Sequence, residues 1–142
     1  MRPVYLYFLF LILLFSCDTE NNFPIPEDNY FVKFYGGEGE QEGVDFILNA
    51  DGSVVMVGNS RKTANDQQLI YAVKVDAQGA VLWQRYYGTS LAGDKVAKDL
   101  ELHPDGRIIV LGEFARGVSN SDVYLFSINS DGVLQDSVIV GL

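Results

Sequence analysis

The chain reads as an all-β protein: two four-stranded antiparallel sheets shaped like the blades of a propeller. Three observations predict this. Blocks of sequence recur, in the same order, at offsets of 52 to 54 residues. Asp-Gly pairs stand between apolar runs at Asp51-Gly52, Asp105-Gly106 and Asp131-Gly132, and such pairs mark tight hairpin turns because both residues tolerate the backbone angles those turns need. No stretch carries a sustained 3.6-residue period with caps, so no helix is expected.

The elements follow in chain order. Phe31-Val32-Lys33-Phe34-Tyr35-Gly36-Gly37 returns as Trp83-Gln84-Arg85-Tyr86-Tyr87-Gly88-Thr89. Asn49-Ala50-Asp51-Gly52 returns as His103-Pro104-Asp105-Gly106, and Val54-Val55-Met56-Val57-Gly58 as Ile108-Ile109-Val110-Leu111-Gly112. Tyr71-Ala72-Val73-Lys74-Val75-Asp76 returns as Tyr124-Leu125-Phe126-Ser127-Ile128-Asn129. In the first unit the blocks predict strands over residues 30–35, 44–48, 53–58 and 69–75, with a turn over 76–79. Residues 54–57 and 108–111 are apolar at every position, the pattern of a strand buried on both faces. Tyr71, Val73 and Val75 alternate with Ala72 and Lys74, which suits a strand nearer a sheet edge. The units are residues 30–82 and 83–142, the second including the start of a third.

Repeats of this length with four strands each point to a β-propeller. Residues 30–141 hold about two of them, whereas closed propellers have typically four to eight blades. The ring is therefore incomplete. The preferred reading is the front portion of a longer propeller. A ring completed by further copies and a self-contained two-sheet sandwich are the alternatives.

The N-terminus carries an address. Arg2 provides a positive start, residues 4–15 an apolar run, and Ser16 a small residue before Cys17, the three parts of a secretory signal. Twelve residues span about 18 Å as a helix, too short for a bilayer core of about 30 Å. Cys17 is the only cysteine, so it cannot form an internal disulfide. The segment Leu14-Phe15-Ser16-Cys17 resembles the lipobox of a bacterial lipoprotein. The resemblance implies cleavage of residues 1–16, lipid on the Cys17 thiol and acylation of the new amino group. Two or more acyl chains make such an anchor stable where one alone is marginal. Asp18-Thr19-Glu20-Asn21-Asn22 resembles the export tag of lipoproteins sent to the outer face of the outer membrane; a plain solvated tether and a periplasmic location are the alternatives. Residues 17–29, with Pro24 and Pro26, read as a flexible tether between lipid and body.

The pattern F-x-K-x-Y-G-G, then D-G, then an apolar strand ending in Gly, then Y-x-V-K-x-D-x-x-G-x-x-x-W is similar to the β-propeller repeats of secreted and surface bacterial lipoproteins. That resemblance covers residues 30–141. It implies a blade fold, an extracytoplasmic place and a recognition or scaffold role more readily than catalysis.

Composition narrows the partners. The net charge is −9, and it becomes −10 once Arg2 leaves with the signal. An acidic surface disfavours nucleic acid and anionic lipid head groups. Counting from Gly132, the ligand positions of a calcium loop are Ser127, Asn129 and Val138; from Gly52 they are Ile47, Asn49 and Gly58. Neither set works, so the aspartates read as turn residues. The cluster Glu38, Glu40, Glu42 and Asp45 reads as solvated loop charge, and no metal or cofactor is expected. His103 is the only histidine and sits in a predicted turn, no Gly-x-Ser-x-Gly occurs, and no phosphate-cradling loop appears.

The expected activity is therefore non-catalytic binding or scaffolding of a protein or glycan, with self-association through exposed blade faces. The alternative is a carbohydrate-active enzyme, or its non-catalytic portion, acting through loop carboxylates. The aromatic residues Phe34, Tyr35, Trp83, Tyr86 and Tyr87 read first as packing and second as sugar- or protein-binding groups. The polar connections 59–68 and 113–121 are the expected recognition loops. The lipid anchor is directly testable: a tagged fatty acid should label the wild type and leave Cys17→Ser unlabelled, and equal labelling of both refutes the anchor.

Overall fold

The computed structural model describes residues 32–117 and 120–141; the signal segment, Cys17 and the tether lie outside them. The strands are β1 (Glu40–Leu48), β2 (Val54–Arg61), β3 (Leu69–Val75), β4 (Val81–Tyr87), β5 (Asp94–Leu102), β6 (Ile108–Gly117), β7 (Asn120–Ile128) and β8 (Leu134–Val140). They form two four-stranded antiparallel meanders, β1-β2-β3-β4 and β5-β6-β7-β8. The described residues contain no helix and close no barrel or ring.

The sequence repeat is a repeat of register. A bulge between Gly43 and Asp45 recurs between Ala97 and Asp99, and one between Lys74 and Val75 recurs between Ser127 and Ile128. One turn is used four times. Asn49 N–H donates to the Ser53 carbonyl and Gly52 N–H to the Asn49 carbonyl, and the same pair of bonds closes the turns at 76–80, 103–107 and 129–133. Asp76 and Asn129 each accept two further backbone N–H bonds through Oδ1. The glycines at 52, 79, 106 and 132 have φ between 74° and 87°, a conformation that costs other L-residues strain.

Several expectations need correction. Residues 32–35 belong to no strand, and the matching stretch 83–87 is the outer strand of the first sheet rather than the opening of a second. Leu69–Val75 is an inner strand between β2 and β4. Its alternation is real but both faces are covered: Tyr71, Val73 and Val75 are buried on one side, Ile70 and Ala72 on the other. The connections 59–68 and 113–121 are shorter than read, because β2 continues to Arg61, β6 to Gly117, and β7 starts at Asn120. Backbone pairing carries these strands through polar residues that show no hydrophobic signal. Residues 54–57 are covered on both faces, but Leu111 is exposed on the outside of the second sheet.

The main core lies between the sheets. Val55, Val57, Ile70 and Ala72 of the first meet Leu100, Ile108, Val110, Tyr124 and Phe126 of the second. At 0.8 kcal/mol or so per buried methylene, this shared layer is the chief source of stability. A smaller cluster, Tyr71, Val73 and Val75 with Tyr35, Val54 and Met56, covers the other face of the first sheet.

Polar latches set how the sheets meet. Three alternate β4 side chains donate to three successive carbonyls of the 129–133 turn: Trp83 Nε1 to Ser130 (3.0 Å), Arg85 Nε to Asp131 (3.2 Å) and Tyr87 Oη to Gly132 (2.7 Å). The chain makes the same contact a second time. Lys33 Nζ donates to the Gln78 carbonyl at 2.7 Å and Tyr35 Oη to the Gly79 carbonyl at 2.9 Å. Lys33 and Tyr35 match Arg85 and Tyr87 in the repeat, so residues 33–35 hold on the first sheet the place that β4 holds on the second.

Tyr87 is buried, and desolvation pushes its phenol up from 10.0 to about 12. The folded state therefore holds this proton more tightly than the unfolded state. Its contribution is intact below pH 10 and is lost as pH rises toward 12. Tyr87→Phe should lower stability by about 1–3 kcal/mol at neutral pH, since the Gly132 carbonyl loses its buried partner. Urea titrations should also show a shallower alkaline loss in the variant; equal stability of the two proteins would refute the latch.

Candidate functional site

Each sheet has two unlike ends. The tight turns 49–53, 76–80, 103–107 and 129–133 all lie at one end, where the chain has little freedom to vary. The longer connections leave from the other, and the connection over residues 62–68 is the longest described link between paired strands. Beside it, on the first sheet, opens a cleft of about 650 Å³. Ser60 and Leu69, partners across β2 and β3, and Tyr86 of β4 give it a sheet wall; Glu38, Lys62, Asp66, Gln67 and Thr89 form its rim.

The wall follows from strand parity. Tyr86 pairs with Tyr71 across β3 and β4, their rings 5.0 Å apart and tilted by 45°. Tyr71 is fixed below by donating to Gln84 Oε1 at 2.9 Å. Tyr86 thus stands on a held ring and keeps close to half its surface open. The rim is charged but only loosely paired, with Lys62 Nζ 3.8 Å from Glu38 Oε2. Thr63 Oγ1 donates to Asp66 Oδ2 and shapes the loop.

The loop is pinned from the second sheet. Asp94 Oδ1 accepts Gln68 N–H at 2.8 Å, while its Oδ2 pairs with Arg61 Nη2 at 2.8 Å. Lys95 N–H donates to the Gln68 carbonyl. The Lys95 side chain is fully buried; its ammonium donates to the Leu91 carbonyl and to Gln67 Oε1 and lies 5.6 Å from the centre of the Phe114 ring. Desolvation lowers its pKa, partly offset by the Asp94 carboxylate. The stem passes beside Gly88, where a Cβ would stand 2.9 Å from Lys95 Cδ. No hydrophobic pattern marks Lys95 in the sequence, and only the packing of β5 under the loop reveals it.

The residues singled out by sequence are dispersed. His103 lies at the opposite end, in the 103–107 turn, with Nδ1 2.8 Å from Asp105 Oδ1. The Arg107 guanidinium, followed by its backbone N–H and His103, holds Asp105 well below the usual carboxylate range. Asp51 is lowered by the Ser53 hydroxyl and N–H. These are turn-stabilising bonds. Of the acidic cluster only Glu38 reaches the cleft, and no three His, Cys, Asp or Glu side chains among the described residues could hold a metal ion. Of the aromatics, Tyr35, Trp83 and Tyr87 serve the latches, Phe34 is exposed, and Tyr86 alone lines the cleft. Cys17 lies outside the described residues.

A half-exposed ring beside carboxylates, amide and hydroxyls suits a neutral, hydroxyl-rich ligand: the ring stacks on an apolar face and the rim exchanges hydrogen bonds. Compared with known proteins, the chain matches no family model, no curated protein and no solved structure. Asp94→Ala should release the loop. A loss of about 1–2 kcal/mol is expected for two charge-assisted bonds partly open to water. Limited proteolysis should then cut within residues 62–68 faster than in wild type, and an unchanged cleavage rate would refute the pin.

Proposed function

We propose that this chain is a lipid-anchored, extracytoplasmic β-propeller-type module that binds or scaffolds without catalysis, and that the Tyr86 cleft is where it takes a glycan-like ligand. The observation that carries the reading is the duplicated latch. Lys33 and Tyr35 close on the 76–80 turn as Arg85 and Tyr87 close on the 129–133 turn. Such a contact joins successive blades of one stack, which favours a propeller-type arrangement over a closed two-sheet sandwich. Lipid on Cys17 would hold the module on the outer membrane, and the acidic tether favours the cell surface over the periplasmic face.

The cleft supports binding over turnover. Its carboxylates, Glu38 and Asp66, are both exposed rim residues, whereas an acid–base pair works from two unlike environments. The second reading, a glycan-cleaving enzyme or its non-catalytic portion, rests on the same two carboxylates.

A glycan panel probed with the full chain should return hydroxyl-rich ligands. Tyr86→Ala should weaken binding at least tenfold, which corresponds to about 1.4 kcal/mol, without changing the far-ultraviolet spectrum. Release of product from any bound glycan, abolished by Glu38→Gln or Asp66→Asn alone, would replace binding by catalysis. Protease shaving of intact cells tests the surface location, and full protection would place the body on the inner side.

A further inference from the structure

The Tyr86 cleft has one amide side chain in its lining, Gln67. An exposed glutamine can present either end, because the carbonyl accepts where the amino group donates and the two ends are alike in size. In this chain one end is taken. Gln67 Oε1 lies 3.3 Å from Lys95 Nζ, and an ammonium has three donors and no acceptor, so only the carbonyl end satisfies it. Lys95 has nowhere else to turn. It is 0% exposed, and its stem fills the space beside Gly88. Its ammonium also donates to the Leu91 carbonyl and stands 5.6 Å from the centre of the Phe114 ring. The ammonium does not line the cleft, whereas Gln67 does.

We propose that Lys95 sets Gln67 as a hydrogen-bond donor into the cleft, and that the preferred ligand is an N-acetylated sugar whose acetamido carbonyl accepts from Gln67 Nε2 while its ring stacks on Tyr86. This specificity rests on the cleft being the glycan site. A hydroxyl can donate or accept, so either orientation of Gln67 would serve it. A carbonyl can only accept, so holding the amino end toward the cleft favours a carbonyl in particular. The buried charge adds to this preference. An ammonium on the carbonyl end polarises the amide and strengthens its N–H as a donor, and the gain is greatest with a strong acceptor.

The surroundings choose among acceptors. A ligand carboxylate would meet two carboxylates, Glu38 and Asp66, against one ammonium, Lys62, in a chain of net charge −9, and like charges repel. An amide carbonyl is neutral and escapes that repulsion. Its own N–H needs an acceptor in turn. Asp66 stands next to Gln67 in the chain; its Oδ2 accepts Thr63 Oγ1 at 2.8 Å, and its second oxygen can accept the acetamido N–H. A cleft of about 650 Å³ has room for a sugar ring carrying an acetamido arm.

Chitobiose and cellobiose differ by acetamido against hydroxyl at the same ring carbon and form a matched pair of probes. Titration calorimetry of the full chain should show chitobiose bound about tenfold or more tightly, the size of one hydrogen bond from a charge-polarised donor. Gln67→Glu keeps an oxygen for Lys95 and loses the donor, so it should bring the two affinities level. Lys95→Met keeps the stem and loses the ammonium, and it should also draw the affinities together; a merely structural loss would weaken both sugars alike and keep their ratio. If Lys95→Met does not fold, Gln67→Glu, on an exposed side chain, decides. Equal binding of the two sugars by wild type, or a preference kept in Gln67→Glu, overturns the donor assignment while Tyr86→Ala still tests the cleft. Binding of another hydroxyl-rich glycan but of neither probe overturns the assignment alone, and failure of every glycan overturns it together with the cleft reading.

Discussion

Three side chains at alternate positions of one strand hold the two sheets together in a defined way. Apolar burial alone would let two sheets slide, because dispersion and hydration have little directional preference. Trp83, Arg85 and Tyr87 remove that freedom by donating to consecutive carbonyls of a single turn. The turn must therefore be rigid, and its two backbone bonds and the Asn129 carboxamide make it so. The rest of the molecule follows from this seam: the buried layer behind it, the tilt that brings Phe126 within 5.0 Å of Tyr87, and the approach of β5 beneath the 62–68 loop.

The division of labour between the two ends of each sheet has a physical origin. Four near-identical turns each close on the same two backbone bonds, and their own side chains make mainly local bonds, as His103, Asp105 and Arg107 show. At the other end, the connection between β2 and β3 has polar groups that its own backbone does not satisfy. Asp94 and Lys95 satisfy them from the neighbouring sheet. The buried ammonium of Lys95 costs desolvation free energy, offset by two carbonyl-type acceptors and the face of Phe114. What results is a cleft with a firm floor, a fixed aromatic wall and a charged rim.

Strand and turn identity were legible because they are written locally. Asp-Gly pairs, period-two apolar runs and the offset of the repeat place the turns at 49–53, 76–80, 103–107 and 129–133 and the middle of β2, β3, β6 and β7. Strand ends were not legible: Asn59, Ser60 and Glu113 carry no apolar signal, and pairing with β1, β5 and β7 extends the strands through them. The stretch 30–35 misled for the opposite reason. It has the composition of a strand, but residues 32–35 belong to no strand and act through Lys33 and Tyr35 instead.

By itself the sequence determined the all-β class, the duplication, the four turns and the expectation of an anchor at Cys17, since each depends on neighbours in the chain or on spacing along it. Tertiary structure alone decided which sheet each strand joins, that β4 completes the first sheet, and that Tyr86 lines a cleft while Tyr87 is a latch. Adjacent residues of a strand point to opposite faces, so two neighbouring tyrosines of identical chemistry acquire different roles. Which face is covered, and by what, depends on a second sheet whose nearest contacts, Ser130 to Gly132, lie more than 40 positions away.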